Sequence, residues 1–197
     1  FEFPHSRAIA PFVVGANRIT GTNNIRCAWL ANGAMLCGFT LTGGSVNASC
    51  SYCSDAKGGG AYAEGGIISN CVITGCRGDY MGGGVYGGTV YDSRLTGNYA
   101  YRYGGGAGSS TLFRCVIEDS LVTGAGAGAV YSTLVNCWIR RNRAVEGGAG
   151  SYGCALRRCV ISGNVNGGAS GSTLESCAVY GNLGIGVHRS SIDHCTV

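Results

Sequence analysis

An internal repeat constrains this chain more than any other feature of its sequence. Four segments, GGGVYGGTVYDSRLTGN, GGGAGSSTLFRCVIEDS, GAGAVYSTLVNCWIRRN and GAGSYGCALRRCVISGN, follow one another in register. The residue before the "x-I/L-x-G" turn gives a reference column of Asn17, Phe39, Cys71, Ser93, Cys115, Cys137, Cys159, Cys177 and Cys195. Successive spacings are 22, 32, 22, 22, 22, 22, 18 and 18 residues. Three positions earlier stand Val14, Leu36, Ile68, Val90, Leu112, Leu134, Leu156, Leu174 and Ile192. Two positions later stand Ile19, Leu41, Ile73, Leu95, Ile117, Ile139, Ile161, Val179 and Val197. Every one of these side chains is aliphatic.

Period-2 alternation around the reference residue, repeated once per coil, predicts short strands with one face turned inward. Helical solenoids are excluded, because their repeats run to roughly 33–47 residues and their helices tolerate far less glycine. The coherent solution is an all-β, right-handed parallel β-helix of about nine coils with 18–22 residues per coil. At about 4.8 Å per coil it makes a rod near 43 Å long. The boundaries read as a lead or joining segment over 1–13 and the β-helix over 14–197, with an inserted loop around 45–57.

The 37 glycines fit this geometry. Gly84, Gly106, Gly128, Gly150, Gly168 and Gly186 each lie nine residues before the reference position, where coils turn at positive φ or approach closely. Gly75, Gly97, Gly163 and Gly181, four after the reference position, and Asn98, Asn142, Asn164 and Asn182, five after it, read as turn residues, as do Asn70 and Asn136. An apolar fraction of 45% argues against disorder, and two prolines with no G-X-Y period exclude collagen. No 18-residue apolar stretch is present to span a bilayer. The 14 basic and 10 acidic residues are scattered without a basic run, which argues against nucleic acid and membrane surfaces as partners. Neither a start methionine nor a signal sequence is found at Phe1, so the chain reads as a mature secreted product or as a piece of something longer.

Twelve cysteines suggest an oxidising compartment. Cys115, Cys137, Cys159, Cys177 and Cys195 occupy successive inward positions and read as a structural ladder of buried thiols acting as small apolar fillers. Stacked Cβ atoms near the interstrand spacing are too far apart for a disulfide, and a straight ladder cannot wrap a tetrahedral metal ion. Cys50 and Cys53 fall in the inserted loop, from which a bridge to Cys76 is conceivable.

The acidic residues do not form a catalytic constellation. Glu118 and Asp119 face Arg140 and Arg141 of the next coil, Asp92 lies under Arg114, and Glu175 lies between Arg157 and Asp193. These are expected to be surface pairs worth about 0–1 kcal/mol each. Asp193 and His194 are adjacent on a strand, so their side chains should diverge. No catalytic residue, cofactor site or metal site is assigned, and no cofactor is expected. Tyr62, Tyr86 and Tyr152 share one column, and Tyr91 and Phe113 another. Such rings serve either as cross-coil stabilisation or as a surface for glycans or partner proteins.

The unit "G-G-G-A/V-x-x-S-T-L-x-x-C-x-I-x-G-N" and the opening "IRCAWLANGAMLCGFTLTGG" resemble the glycine-rich β-helix repeats of bacterial surface and secreted proteins. Those repeats have a pectate-lyase-like fold shared with autotransporter passengers and polymorphic outer-membrane proteins. The resemblance covers roughly residues 14–197 and implies a secreted or cell-surface location. Since that fold hosts adhesins, filament modules, lyases and hydrolases alike, it implies no single activity.

The expected function is a non-enzymatic extracellular structural or adhesive module; the alternative is a carbohydrate-binding or carbohydrate-cleaving β-helix. Head-to-tail stacking is also expected. The C-terminus shows no polar cap at Ile192 and Val197, while the N-terminal stretch is apolar at Phe1, Phe3 and Phe12. Joining Val197 to the next molecule's Phe1 would space Cys195 and Asn17 by 2 + 17 = 19 residues, within the range already used.

Overall fold

The computed structural model describes residues 25–47 and 53–197, together with the backbone of three earlier strands, Arg7–Ala8, Phe12–Val14 and Arg18–Thr20. It is a parallel β-solenoid. One coil runs through Val85–Tyr86 on a first face, Thr89–Tyr91 on a second, Arg94–Thr96 on a third and Tyr99–Ala100 on a short fourth. Stacked coils build two nine-stranded sheets, one eight-stranded sheet and one four-stranded sheet among the described residues, with coil neighbours paired in parallel. Arg7–Ala8 and Phe12–Val14 already pair with the following coil, so the solenoid takes in part of the stretch read as a lead segment.

The interior is built from the two aliphatic columns. Leu112, Leu134, Ile117 and Ile139 are fully buried, and register places each over its counterpart one coil away. Each corner between faces takes two residues with separate tasks. The first sits at positive φ, as in Asp92 (48°), Arg114 (53°), Asn136 (55°) and Arg158 (51°). That kink turns the second residue inward, and from Ser93 onward it is small and able to hydrogen-bond: Cys137 and Cys159 at one corner, Ser110 and Ser132 at another, Asn142 and Asn164 at the third. Here its side chain satisfies backbone groups that the bend removes from the ladder. The Ser110 N–H donates to Ser132 Oγ at 3.1 Å, and the Ser120 N–H to Asn142 Oδ1 at 3.0 Å.

The asparagines therefore divide into two groups. Asn70 and Asn136 have the positive φ expected of turn residues, but Asn98, Asn142 and Asn164 do not, and they are buried. Asn142 Nδ2 donates to the carbonyl of Ile117 at 3.1 Å and to Asn164 Oδ1 at 3.1 Å, forming one rung of an internal amide ladder.

The glycine column answers to close approach rather than to φ. A Cβ on Gly128 would stand 2.4 Å from the carbonyl oxygen of Gly150, and one on Gly106 2.6 Å from that of Gly128. The neighbouring glycines serve a thin side lobe. The fourth-face strand and the returning chain pack back to back, and a Cβ on Gly83 would lie 2.0 Å from the Tyr99 carbonyl oxygen. Only small side chains fit between the two layers, and Ala100, Val122, Ala127, Ala144 and Ala149 form that second core. In the 18-residue coils the fourth face shrinks to single bridges, Arg143 with Val165 and Val165 with Leu183. The four missing residues are lobe residues, so the main prism is unaffected. In the longest coil Ser45 and Lys57 are both bridged to the next coil, and a 3-10 turn lies at Ser54–Ala56.

Candidate functional site

The cysteine ladder lies where the repeat puts it. Cys115, Cys137, Cys159 and Cys177 are buried and Cys195 is half-buried, all as free thiols. Each sulfur sits against the preceding coil: Cys137 Sγ donates to the carbonyl of Leu112 at 3.5 Å and Cys159 Sγ to that of Leu134 at 3.4 Å. The Cys159 N–H in turn donates to Cys177 Sγ at 3.4 Å. The column does for its corner what serine and asparagine do for theirs, which extends the filler role expected from the sequence. At the serine corner the single Cys154 is buried, and burial pushes its thiol up to about 12. Cys76 also carries a free thiol on an inward corner, donating to the Thr74 carbonyl at 3.4 Å, so the bridge from the loop to Cys76 is not formed. Its position is interior because the residue before it, Gly75 (φ 61°), takes the kink. Cys50 lies outside the described residues, and Cys53 precedes the 3-10 turn.

The charged pairs match the cross-coil positions read from the sequence, with one correction in kind. Arg114 and Asp92 form a two-bonded pair at 2.6 and 2.7 Å, Arg157 meets Glu175 at 3.1 Å, and Arg141 meets Asp119 at 2.8 Å. The Arg114 guanidinium holds the Asp92 carboxyl below its ordinary range, and Arg141 does the same for Asp119. Glu118, however, is not a surface residue. Its side chain is 0% exposed, covered by Arg94 on one oxygen and by Arg140 and Arg141 at 2.7 and 2.6 Å on the other. The three guanidiniums come from the coils before and after it, so the cluster clamps three coils together.

Asp193 and His194 also depart from expectation. Their side chains meet at 2.7 Å, because His194 has φ 50° and the strand alternation that would part them is broken. Both are well exposed, and no third group joins them into a relay.

Aromatic columns form in part, and cations lie over some of their rings. Tyr91 and Phe113 stack at 5.1 Å and 11°, with Arg114 over Tyr91. Tyr62 stacks on Tyr86 at 5.4 Å and lies beside Trp29 at 4.8 Å. Arg26 lies 4.7 Å from the Trp29 centroid and Lys57 4.6 Å from that of Tyr86. Tyr152 shares the register column but is separated from Tyr86 by Gly108 and Val130, and meets Tyr131 instead.

A cleft of 260 Å³ at the lobe tips is lined by Tyr101, Arg102, Tyr103, Thr123, Gly124 and Glu146. Among the described residues no three His, Cys, Asp or Glu side chains converge as for a metal ion. Of the positions expected to stack end to end, Phe1 and Phe3 lie outside the described residues, as does the side chain of Phe12. Ile192 and Val197 are 53% and 64% exposed, although Ile192 keeps register with the buried Leu174.

No family model and no curated protein matches the chain. Among solved structures it is similar to a trypsin-treated form of QnrB1, a plasmid-mediated fluoroquinolone resistance protein. Identity is 13% over 92% of this chain and 91% of that one, and the TM-score is 0.27. At that score the two chains do not superpose closely, and the solenoid is established by the strand ladders themselves. The class the fold defines is a β-solenoid repeat protein.

The corner rule is what sequence reasoning missed. Arg114, Arg141, Arg158 and Tyr131 all hold positive φ although none is a favoured residue there. The usable signal was positional, since each directly precedes an inward Cys, Asn or Ser.

Proposed function

We propose that the protein is a non-enzymatic structural rod, a solenoid module that holds distance and presents its coil ends to further copies of itself. The observation that supports this most directly is that its reactive side chains are committed to joining coils. Asp92 and Asp119 are each paired with an arginine of the next coil, Glu175 with one of the coil before, and Glu118 with three arginines. The stacked rings and the thiol ladder run along the same axis. The exposed apolar side chains Leu183, Ile185, Ile192 and Val197 on the last described coil would be covered by another coil stacked on them. A secreted or cell-surface location fits the resemblance to glycine-rich bacterial surface repeats.

Electron microscopy of the purified protein over a micromolar concentration series, alongside a reducing-end assay on acidic polysaccharides, tests the proposal. Rods of one-solenoid width that lengthen with concentration and release no sugar are expected. Concentration-independent monomers would end the stacking element. Turnover lost in Glu118→Gln would overturn the structural reading as a whole.

A further inference from the structure

At the lobe tips the pairing of charges across coils breaks off. Tyr103, Ala125 and Gly147 are joined coil to coil by parallel bridges, so Arg102, Gly124 and Glu146, one residue earlier in each coil, stand in one column. The Glu146 N–H donates to the Gly124 carbonyl at 3.1 Å, which fixes the upper rung. Arg102 and Glu146 are both exposed and both line the 260 Å³ cleft. Among the described residues neither side chain has an ion-pair partner, and they do not pair with each other.

The gap between them has a backbone cause. A Cβ on the middle rung, Gly124, would stand 2.1 Å from the carbonyl oxygen of Arg102, so no side chain can fill the space between the cation and the anion. Tyr101, Tyr103 and Thr123 wall that space. The Thr123 hydroxyl donates to the Tyr101 carbonyl, and its oxygen keeps the capacity to accept a bond.

Charge and size select the same class of ligand. A group of one charge would be attracted at one end of the cleft and repelled at the other, whereas a zwitterion is attracted at both. Coils step by about 4.8 Å, so the two side chains leave the backbone about 9.6 Å apart. Charge-assisted contacts take about 2.8 Å at each end, and about 4 Å remains between them when the side chains stand parallel. That is close to the span of one α-amino carboxylate. The cleft is also smaller than the roughly 300–1,000 Å³ of pockets for drug-sized molecules.

We propose that the lobe-tip cleft is a binding site for a small zwitterion of the α-amino acid class, with its carboxylate on Arg102, its ammonium on Glu146 and its apolar part against the tyrosine rings. The site does not depend on whether the rods stack end to end.

The experiment is saturation-transfer NMR of L-alanine against the full chain, with competition by N-acetyl-L-alanine, which lacks the ammonium, by L-alaninamide, which lacks the carboxylate, and by glucose. Each blocked compound should bind about tenfold or more weakly than L-alanine, the loss of one charge-assisted contact, and glucose should not compete. Arg102→Gln and Glu146→Gln should each weaken L-alanine to the same degree, and the exchange Arg102→Glu/Glu146→Arg should recover most of the loss with the ligand reversed. Because both side chains are exposed, circular dichroism should be unchanged in all three variants. Glu146 also borders a second cleft with Asn166, Ser170 and His188, so His188→Ala serves as the control and should leave binding intact. No transfer to L-alanine, equal affinity for the blocked compounds or glucose, an unaffected Arg102→Gln, or a loss in His188→Ala equal to that in Glu146→Gln would each overturn the proposal.

Discussion

Asn136 and Asn142 are six residues apart in one coil, and replacing each with glycine separates the two tasks that a corner residue can have. Asn136 is exposed at φ 55°, and its side chain accepts one bond at 2.9 Å from Arg158. Glycine adopts that backbone at least as easily, so Asn136→Gly should change stability by no more than about 0.5 kcal/mol. Asn142 has no positive φ and is fully buried. Its amide accepts from the Ser120 N–H at 3.0 Å and donates to the Ile117 carbonyl and to Asn164 Oδ1, each at 3.1 Å. Asn164 Oδ1 keeps a second donor, the Asn142 N–H at 2.9 Å, so two backbone groups lose this partner. At about 1–3 kcal/mol for each buried group left unsatisfied, plus about 0.5–1 kcal/mol for the added backbone freedom, Asn142→Gly should cost about 2.5–7 kcal/mol. At about 2–4 °C per kcal/mol for a chain of this size, Tm should fall by about 5–28 °C. Thermal melts give the total, and hydrogen exchange gives the location, because the Ser120 amide should lose its protection first. A cost for Asn142→Gly within about 0.5 kcal/mol of that for Asn136→Gly would refute the division of the corner into a kinked residue and an inward residue.

Glu118→Gln should cost about 2–3 kcal/mol by chemical denaturation, more than a surface pair, though less than the usual figure for breaking a buried pair because its arginines reach water; a loss under about 0.5 kcal/mol would return Glu118 to the surface. Gly128→Ala places a Cβ 2.4 Å from the Gly150 carbonyl oxygen and should prevent the two coils from closing, whereas Gly97→Ala meets no atom within 4 Å and should cost only its backbone strain of about 1–2 kcal/mol; equal melting temperatures for the two would contradict the close approach. Cys137→Asp buries a charge and should be severely destabilising, while Cys137→Ser should fold, as yield and circular dichroism will show. The carboxyls of Asp92 and Asp119 are held below their ordinary range, so the stability they add is present above about pH 4 and is lost as pH falls through their lowered native values. Asp119→Asn should therefore flatten part of the acid limb of a stability–pH curve.

The repeat by itself determined the solenoid, the two aliphatic columns and the inward cysteines, because burial in a stacked coil recurs at a fixed sequence interval and leaves a periodic trace. Leu112, Ile117 and Cys115 could be placed inside by spacing alone. The tertiary structure decided what each polar or glycine position was for. Asparagine serves equally as a kinked residue or as an inward amide, so Asn136 and Asn142 look alike in sequence and differ only in which backbone groups surround them. Gly83 is glycine because the Tyr99 backbone of the following coil touches it, and that contact exists only once the side lobe has folded. Glu118 is buried by arginines 22 to 24 residues away in either direction, and whether they cover a carboxylate or merely neighbour it depends on side-chain geometry that no period records. The stacked rings follow the same logic, since a column of tyrosines specifies alignment, while the faces left free depend on which cations settle over them.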